Sequence, residues 1–189
     1  LEIFFIKPKY SKNIKKLFRL IVPGAIGAGV IQINLLIDVI LASFLKTGSI
    51  SYLYYAERIN QLPIALIGVA LGTALLPTLS KQISKNEKGK ALYTQNRAVE
   101  FCLILAIPAS IAIFIIAEPI IGSFFERGEF TVNDKILSAK ALQAFAVGVP
   151  AYVLVKILAP IFFSRQDTAT PVKIAIFCVF INFLFNIIL

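Results

Sequence analysis

The sequence contains no histidine and only two cysteines, and these shortages exclude several kinds of chemistry. Without histidine the chain cannot build a Ser-His-Asp triad or a His-ligated zinc site. Cys102 and Cys178 both lie in apolar runs, where a thiol behaves as a small hydrophobic group, so neither a disulfide framework nor a metal site follows. The sequence also has no P-loop, no Gly-rich dinucleotide turn and no HExxH motif. It therefore predicts a protein that is not an enzyme and holds no metal or other cofactor.

Charged residues are also scarce, at 15% of the chain, whereas soluble domains carry about 25%. Hydrophobic residues make up 58% of the chain, and the mean hydropathy is +0.85. Several apolar runs reach the length of about 20 residues that crosses about 30 Å of hydrocarbon as a helix. The alternating segments typical of a transmembrane β-barrel are missing. The composition therefore predicts an all-α fold, a polytopic transmembrane helix bundle.

The apolar runs divide the chain into about four complete spans and a truncated fifth. We expect a basic cytoplasmic or interfacial linker at residues 1–16 and a bundle over residues 17–189. The chain has no methionine, not even at its first position, and its last apolar run stops at Leu189. We therefore expect it to be an excerpt of a longer protein. The predicted spans cover residues 17–45, 52–80, 98–125, 136–163 and 174–189.

The distribution of lysine and arginine predicts how the spans are oriented. Residues 1–19 hold six of them, residues 81–97 hold five and residues 164–173 hold two, whereas the loops at 46–51 and 126–135 hold three between them. The positive-inside rule therefore places 1–16, 81–97 and 164–173 in the cytoplasm. Because these residues cluster in loops and form no basic face with stacking aromatics, the net charge of +9 indicates membrane lipids, and not nucleic acid, as partners.

The second span carries a charged pair, Glu57 and Arg58, inside an apolar run of membrane length. An arginine at the centre of the hydrocarbon costs at least about 2.5–3.5 kcal/mol, so by default it faces a water-filled cavity or a partner. An alternative is that Arg58 extends to the headgroups and that the glycines of this span form only a packing notch. At about 100° per residue, a regular helix would place five residues on one face: Arg58, Gln61, Ala65, Gly68 and Gly72.

Polar residues in two other spans are further candidates for a polar pocket. Asn34 and Asp38 lie four residues apart in the first span and share a helical face with Gly27. Asp38 is either an acid that couples transport or a structural acid that pairs with a neighbouring helix. In the fourth span, Lys156 lies deep in the apolar run, one turn after Tyr152, and is the better candidate there for a functional charge.

Glycines and prolines mark the positions where we expect close helix packing and bending. Gly27, Gly68 and Gly72 would let two helices approach closely, and Pro63 would supply a bending point within the second span.

Residues 54–81, YYAERINQLPIALIGVALGTALLPTLSK, resemble the signature helix of the MurJ/MviN family of lipid II flippases in the MOP exporter superfamily. Glu57 stands where the family usually has aspartate. Other stretches of the chain are similar to the same family: residues 32–34, 42–45, 155–160, 163–167 and 170–173.

This resemblance implies a MOP/MATE-like transporter of the bacterial cytoplasmic (inner) membrane, built as two lobes, whose second lobe this chain begins. It implies that lipid II, an undecaprenyl-pyrophosphate-linked disaccharide-peptide, is moved to the periplasmic leaflet by alternating access for peptidoglycan biosynthesis. Arg58 takes the position of the second-lobe arginine in the family's cationic cavity. Asp38 departs from the family's pattern, and coupling to Na⁺, to H⁺ or to the membrane potential stays open. The predicted substrate-binding residues are Arg58, Glu57, Gln61, Asn34 and Lys156.

Two alternative functions remain at this stage. A cation-coupled multidrug exporter of the same superfamily would use Asp38 to bind Na⁺ or H⁺. A membrane scaffold without transport activity would recruit partners through its basic segments, above all residues 81–97.

Overall fold

The computed structural model describes residues 12–188, and every regular element within that range is a helix. The elements in chain order are α1 (Lys12–Ser43), α2 (Ser49–Pro63), a π-helical segment (Ile64–Val69), α3 (Ala70–Ser84), α4 (Lys88–Ile115), α5 (Ala117–Phe125), α6 (Val132–Ser164) and α7 (Ala169–Ile188).

Four stretches of helix are long and apolar enough to cross a membrane. Only 11–28% of the residues in their most apolar windows are buried inside the molecule. Apolar surface on this scale is stable in lipid, where a helix also satisfies its own backbone hydrogen bonds. The predicted all-α membrane bundle is therefore confirmed. The four stretches are Ile21–Ser43, Ser49–Ser84, Lys88–Ile115 and Val132–Ser164.

The helices extend beyond the predicted spans on their basic sides. Helix α4 begins at Lys88, ten residues before the predicted start of the third span at residue 98. Helix α1 already includes Lys12, whereas residues 1–11 of the predicted linker lie outside the described residues. Lysine and arginine are good helix formers, so the backbone stays helical where the hydropathy has already fallen. Hydropathy alone therefore gives spans that are shorter than the helices containing them.

The third predicted span, residues 98–125, is two helices and not one. Helix α4 ends at Ile115, and α5 begins at Ala117 after a break at Ile116, whose φ of −104° and ψ of 24° are not helical. Pro119 lies in the first turn of α5 and has no N–H to donate to the Ile115 carbonyl, so one hydrogen bond of a continuous helix is missing at this point. The prediction gave residues 98–125 as one span, and the structure adds a helix break within it at Ile116.

Residues 36–165 form one compact unit, in which α6 packs against α2, α3, α4 and α5. One apolar cluster, around Leu79, Cys102 and Val153, joins α3, α4 and α6. A second cluster, around Ala56 and Ile121, joins α2, α5 and α6. Helix α6 therefore holds the two halves of the Ser49–Ser84 helix in place.

The other unit comprises residues 1–35 and 166–189. In it, Gly27 of α1 lies against Val172 of α7, and a Cβ at Gly27 would be 2.8 Å from Val172 Cγ2. The first turn of α7 is capped by Asp167, because the Thr170 hydroxyl and backbone N–H donate to its carboxylate at 2.6 and 3.0 Å. These hydrogen bonds lower the pKa of Asp167.

The long helix Ser49–Ser84 changes its winding directly after Pro63, where the π-helical segment begins. Proline lacks an N–H and crowds the preceding turn, and π-helical i→i+5 bonds relieve this by adding about one residue to the turn. The extra residue lets the buried stripe on both sides of the segment face α6. Most consecutive buried residues of this stripe are three or four positions apart, but Pro63 and Gly68 are five positions apart. Its buried residues are Ala56, Ile59, Asn60, Pro63, Gly68, Gly72, Leu75 and Leu79.

Replacing Gly72 by alanine should destabilise the packing of α3 on α6. A Cβ at Gly72 would lie 2.5 Å from the Lys156 carbonyl oxygen, a backbone atom that cannot rotate away. We expect overpacking to cost about 1–3 kcal/mol and to lower the Tm of the purified full-length protein by several degrees. Gly89→Ala is the matched control, because Gly89 has no neighbour within 4 Å. An unchanged Tm for Gly72→Ala would contradict the close approach of the two helices.

Candidate functional site

Arg58 lies on the exposed side of α2 and folds back onto Tyr54, one turn earlier in the same helix. Its Nη2 donates to the Tyr54 hydroxyl, and its Cζ is 4.5 Å from the centroid of the Tyr54 ring. Among the described residues, no carboxylate forms an ion pair with Arg58. The guanidinium of Arg58 therefore contacts a neutral aromatic group, and the remaining N–H donors of the guanidinium can bind an anion.

Glu57 does not neutralise its neighbour Arg58. Its Oε1 accepts a hydrogen bond from Gln61 Nε2 at 3.0 Å, within the same helix. The side chains of successive helical residues point about 100° apart, so the carboxylate of Glu57 and the guanidinium of Arg58 point in different directions. The structure thus places an acceptor pair, Glu57 with Gln61, beside an uncompensated cation, and both members of the pair are exposed.

The prediction that five residues share one helical face is wrong. Arg58, Gln61 and Ala65 are exposed, whereas Gly68 and Gly72 are buried against α6. The π-helical segment between Ile64 and Val69 causes the difference. Its wider turn changes the register, so that residues beyond it lie on another side of the helix than a regular α-helix would give.

Gly68 and Gly72 lie instead against Lys156 of α6. A Cβ at Gly68 would be 3.0 Å from Lys156 Cβ, and the backbone of Val153 is also within contact at 3.4 Å. The aliphatic stem of Lys156 therefore packs on the glycine surface while the residue as a whole stays exposed. In the described part of the chain its ammonium makes no ion pair. Lys156 is thus a second uncompensated cation on a membrane-length helix.

Asn34 and Asp38 are both half-buried and lie four residues apart in α1, as the sequence predicts for one helix face. Each has an interaction partner, so neither is an isolated polar group. Their roles in substrate binding and in coupling remain predictions. Among residues 12–188, no group of three or more metal-ligating side chains is close enough to hold a metal ion.

The sequence reasoning missed two polar connections at the N-terminal ends of α2 and α6. The Tyr52 hydroxyl donates to Asp134 Oδ1 at 2.8 Å, and Asp134 forms the capping box of α6 with the N-cap residue Thr131. Lys135 Nζ lies 3.1 Å from Glu126 Oε2. Tyr52 and Asp134 are 82 residues apart in the chain, and Glu126 and Lys135 lie at opposite ends of the loop between α5 and α6, so helical spacing predicts neither contact. The Tyr54–Arg58 contact is different, because its i, i+4 spacing is visible in the sequence.

Four membrane-length apolar helices define a multi-pass helical membrane protein. Two of these helices carry Arg58 and Lys156, and the same two pack together at Gly68 and Gly72. A model of the family described as "Lipid II flippase MurJ" matches residues 4–189. The chain belongs to the MurJ family of lipid II flippases, and the resemblance found in the sequence is confirmed. A family of flippases also agrees with the prediction that the protein is not an enzyme.

Proteins named "Probable lipid II flippase MurJ" are similar to nearly the whole chain. The one from Rhizobium meliloti (strain 1021) is 41% identical over 182 residues, which are 96% of this chain and 34% of the relative. That from Rickettsia prowazekii (strain Madrid E) is 43% identical over 177 residues, 94% of this chain and 35% of the relative. The chain thus spans about a third of the length of these relatives.

A solved structure shows the same arrangement of helices. A chain described as "Lipid II flippase MurJ, inward closed conformation" superposes with a TM-score of 0.81 at 31% sequence identity. The match covers 96% of this chain and 39% of the solved one.

Proposed function

We propose that the full-length protein containing this chain moves lipid II from the cytoplasmic to the periplasmic leaflet of the inner membrane by alternating access. The family membership and the names of the relatives support lipid II as the substrate. The observation that carries the proposal is Arg58, an exposed guanidinium on a membrane-length helix whose contact in this chain is a neutral tyrosine. Such a cation is stable in a membrane only where water or an anion compensates it.

The chemistry of the headgroup fits this cation. A pyrophosphate carries several negative charges, and a guanidinium offers planar paired donors that bind two oxygens at once. With one Nη2 hydrogen bond given to Tyr54, the other donors of Arg58 are available to the pyrophosphate. An environment with little water would strengthen this pairing compared with bulk solution.

The other predicted binding residues suit the uncharged and peptide parts of the same ligand. The Glu57–Gln61 pair presents amide and carboxylate oxygens to sugar hydroxyls and peptide N–H groups. Lys156 adds a second positive charge on α6, and Asn34 adds an amide on α1. We assign them to headgroup recognition, with the polyprenyl tail remaining in lipid.

Close packing at the glycines suits motion of helices as rigid bodies. Gly68 and Gly72 join α6 to the second half of the Ser49–Ser84 helix, so these elements would move together during alternating access. We keep Asp38 as the candidate coupling residue, with Na⁺, H⁺ or the membrane potential as the driving force. The comparisons do not favour a multidrug exporter or a scaffold.

Arg58→Ala should abolish rescue of a bacterium depleted of its flippase and weaken lipid II binding about 10–100-fold, since hydrogen bonds to charged groups are being lost. Arg58→Lys should rescue in part, because it keeps the charge but loses the paired donors. Arg97→Ala is the matched control, since the Arg97 charge is already compensated by Glu100 at 2.9 Å. Rescue is scored as colony counts at equal membrane abundance, and full rescue by Arg58→Ala would remove Arg58 from the mechanism.

The proposed orientation can be tested with an impermeant maleimide in a version of the full-length protein without other cysteines. Cysteines placed at Lys88 and Gly128 occupy exposed positions at the start of α4 and in the loop before α6. In intact spheroplasts we expect labelling at position 128, and labelling at position 88 only after the membrane is permeabilised. The reverse pattern would show that the segment 81–97 lies outside.

A further inference from the structure

Two tyrosine–arginine pairs of the same i, i+4 spacing occur in the described helices, and they differ in how the charge is compensated. In the pair on α4, Arg97 Cζ is 5.7 Å from the Tyr93 ring centroid, and its Nη1 lies 2.9 Å from Glu100 Oε2. In the pair on α2, Arg58 Cζ is closer to its ring, at 4.5 Å, and the described residues offer it no carboxylate. Tyr54 is thus the main restraint on the Arg58 side chain.

Tyr54 contacts a cluster of aromatic rings. Its ring meets the ring of Tyr55 edge-on, with centroids 6.3 Å apart. Tyr55 is half-buried between Phe125 and Phe130, at centroid distances of 4.8 and 5.2 Å. Because Phe125 belongs to α5 and Phe130 to the following loop, these aromatic contacts fix the N-terminal half of α2 on its neighbours. The Tyr54 ring that Arg58 contacts is therefore itself packed on Tyr55, although Tyr54 is 51% exposed.

We propose that Tyr54 is a positioning residue for Arg58 in the binding of the lipid II pyrophosphate. This inference rests on the proposed function. The ring holds the guanidinium over its face, and the hydroxyl accepts one N–H, so the arginine is oriented before the substrate arrives. A long side chain that is ordered in advance loses less conformational entropy on binding, and the affinity rises accordingly.

The test measures the Kd of lipid II for the purified full-length protein in nanodiscs. Tyr54→Phe keeps the ring but removes the hydroxyl acceptor, and we expect binding to weaken about 2–5-fold. Tyr54→Leu removes both contacts, and we expect a weakening of about 5–20-fold. Tyr93→Leu, at the matched pair on α4, should leave the Kd unchanged, because the Arg97 charge is paired with Glu100.

The decisive comparison repeats Tyr54→Leu in the Arg58→Ala background. A residue that acts through Arg58 has nothing left to position there, so Tyr54→Leu should cause no further loss. An equal loss in both backgrounds would overturn the inference, because Tyr54 would then act on the fold or directly on the ligand. The Tm of each variant is measured alongside, and Tyr54→Phe keeps the test open if Tyr54→Leu folds poorly.

The controls separate failure of this inference from failure of the proposed function. If Arg58→Ala weakens lipid II binding while Tyr54→Phe and Tyr54→Leu do not, only the positioning role of Tyr54 is overturned. If Arg58→Ala itself binds lipid II with the parental Kd, both the proposed role of Arg58 and the inference are overturned.

Discussion

One constraint governs the molecule: a guanidinium on an apolar, membrane-length helix must be compensated by something other than hydrocarbon. In this chain that guanidinium is Arg58, and its contact is the face and hydroxyl of Tyr54. A tyrosine orients the charge without cancelling it. The carboxylate of the adjacent Glu57 points in another direction and accepts a hydrogen bond from Gln61. Among the described residues, Arg58 is therefore an oriented cation without an acidic partner, and this is the basis for proposing that it binds an anionic headgroup.

Within residues 36–165, the neighbouring helices hold that helix. Helix α6 runs along both of its halves, and the π-helical segment after Pro63 keeps the buried stripe in register across the proline. The close contacts of Gly68 and Gly72 with Lys156 lock the second half to α6. Aromatic rings around Tyr55 fix the first half. The Ser49–Ser84 helix is therefore packed against its neighbours on both sides of the π-helical segment, with Arg58 on its exposed side.

The fold class could be predicted because it follows from hydropathy and length, which are local properties. The limits of the helices could not, because lysine-rich flanks such as the one at Lys88 stay helical outside the apolar run. The helix break at Ile116 is visible in the sequence only as Pro119. The prediction that Arg58 and Gly72 share a helical face was wrong because it assumed regular α-helical winding across Pro63. Among the site residues, the Tyr54–Arg58 contact was within reach of i, i+4 spacing, whereas the packing of Lys156 on Gly68 depends on tertiary structure.

Binding of the substrate's pyrophosphate by Arg58 can be observed in a structure of the full-length protein with bound lipid II. We expect guanidinium nitrogens of Arg58 at about 2.7–2.9 Å from pyrophosphate oxygens, with the Tyr54 ring still beneath them. An Arg58 side chain that points into acyl chains, or reaches only lipid headgroups at the membrane surface while the pyrophosphate binds elsewhere, would contradict it.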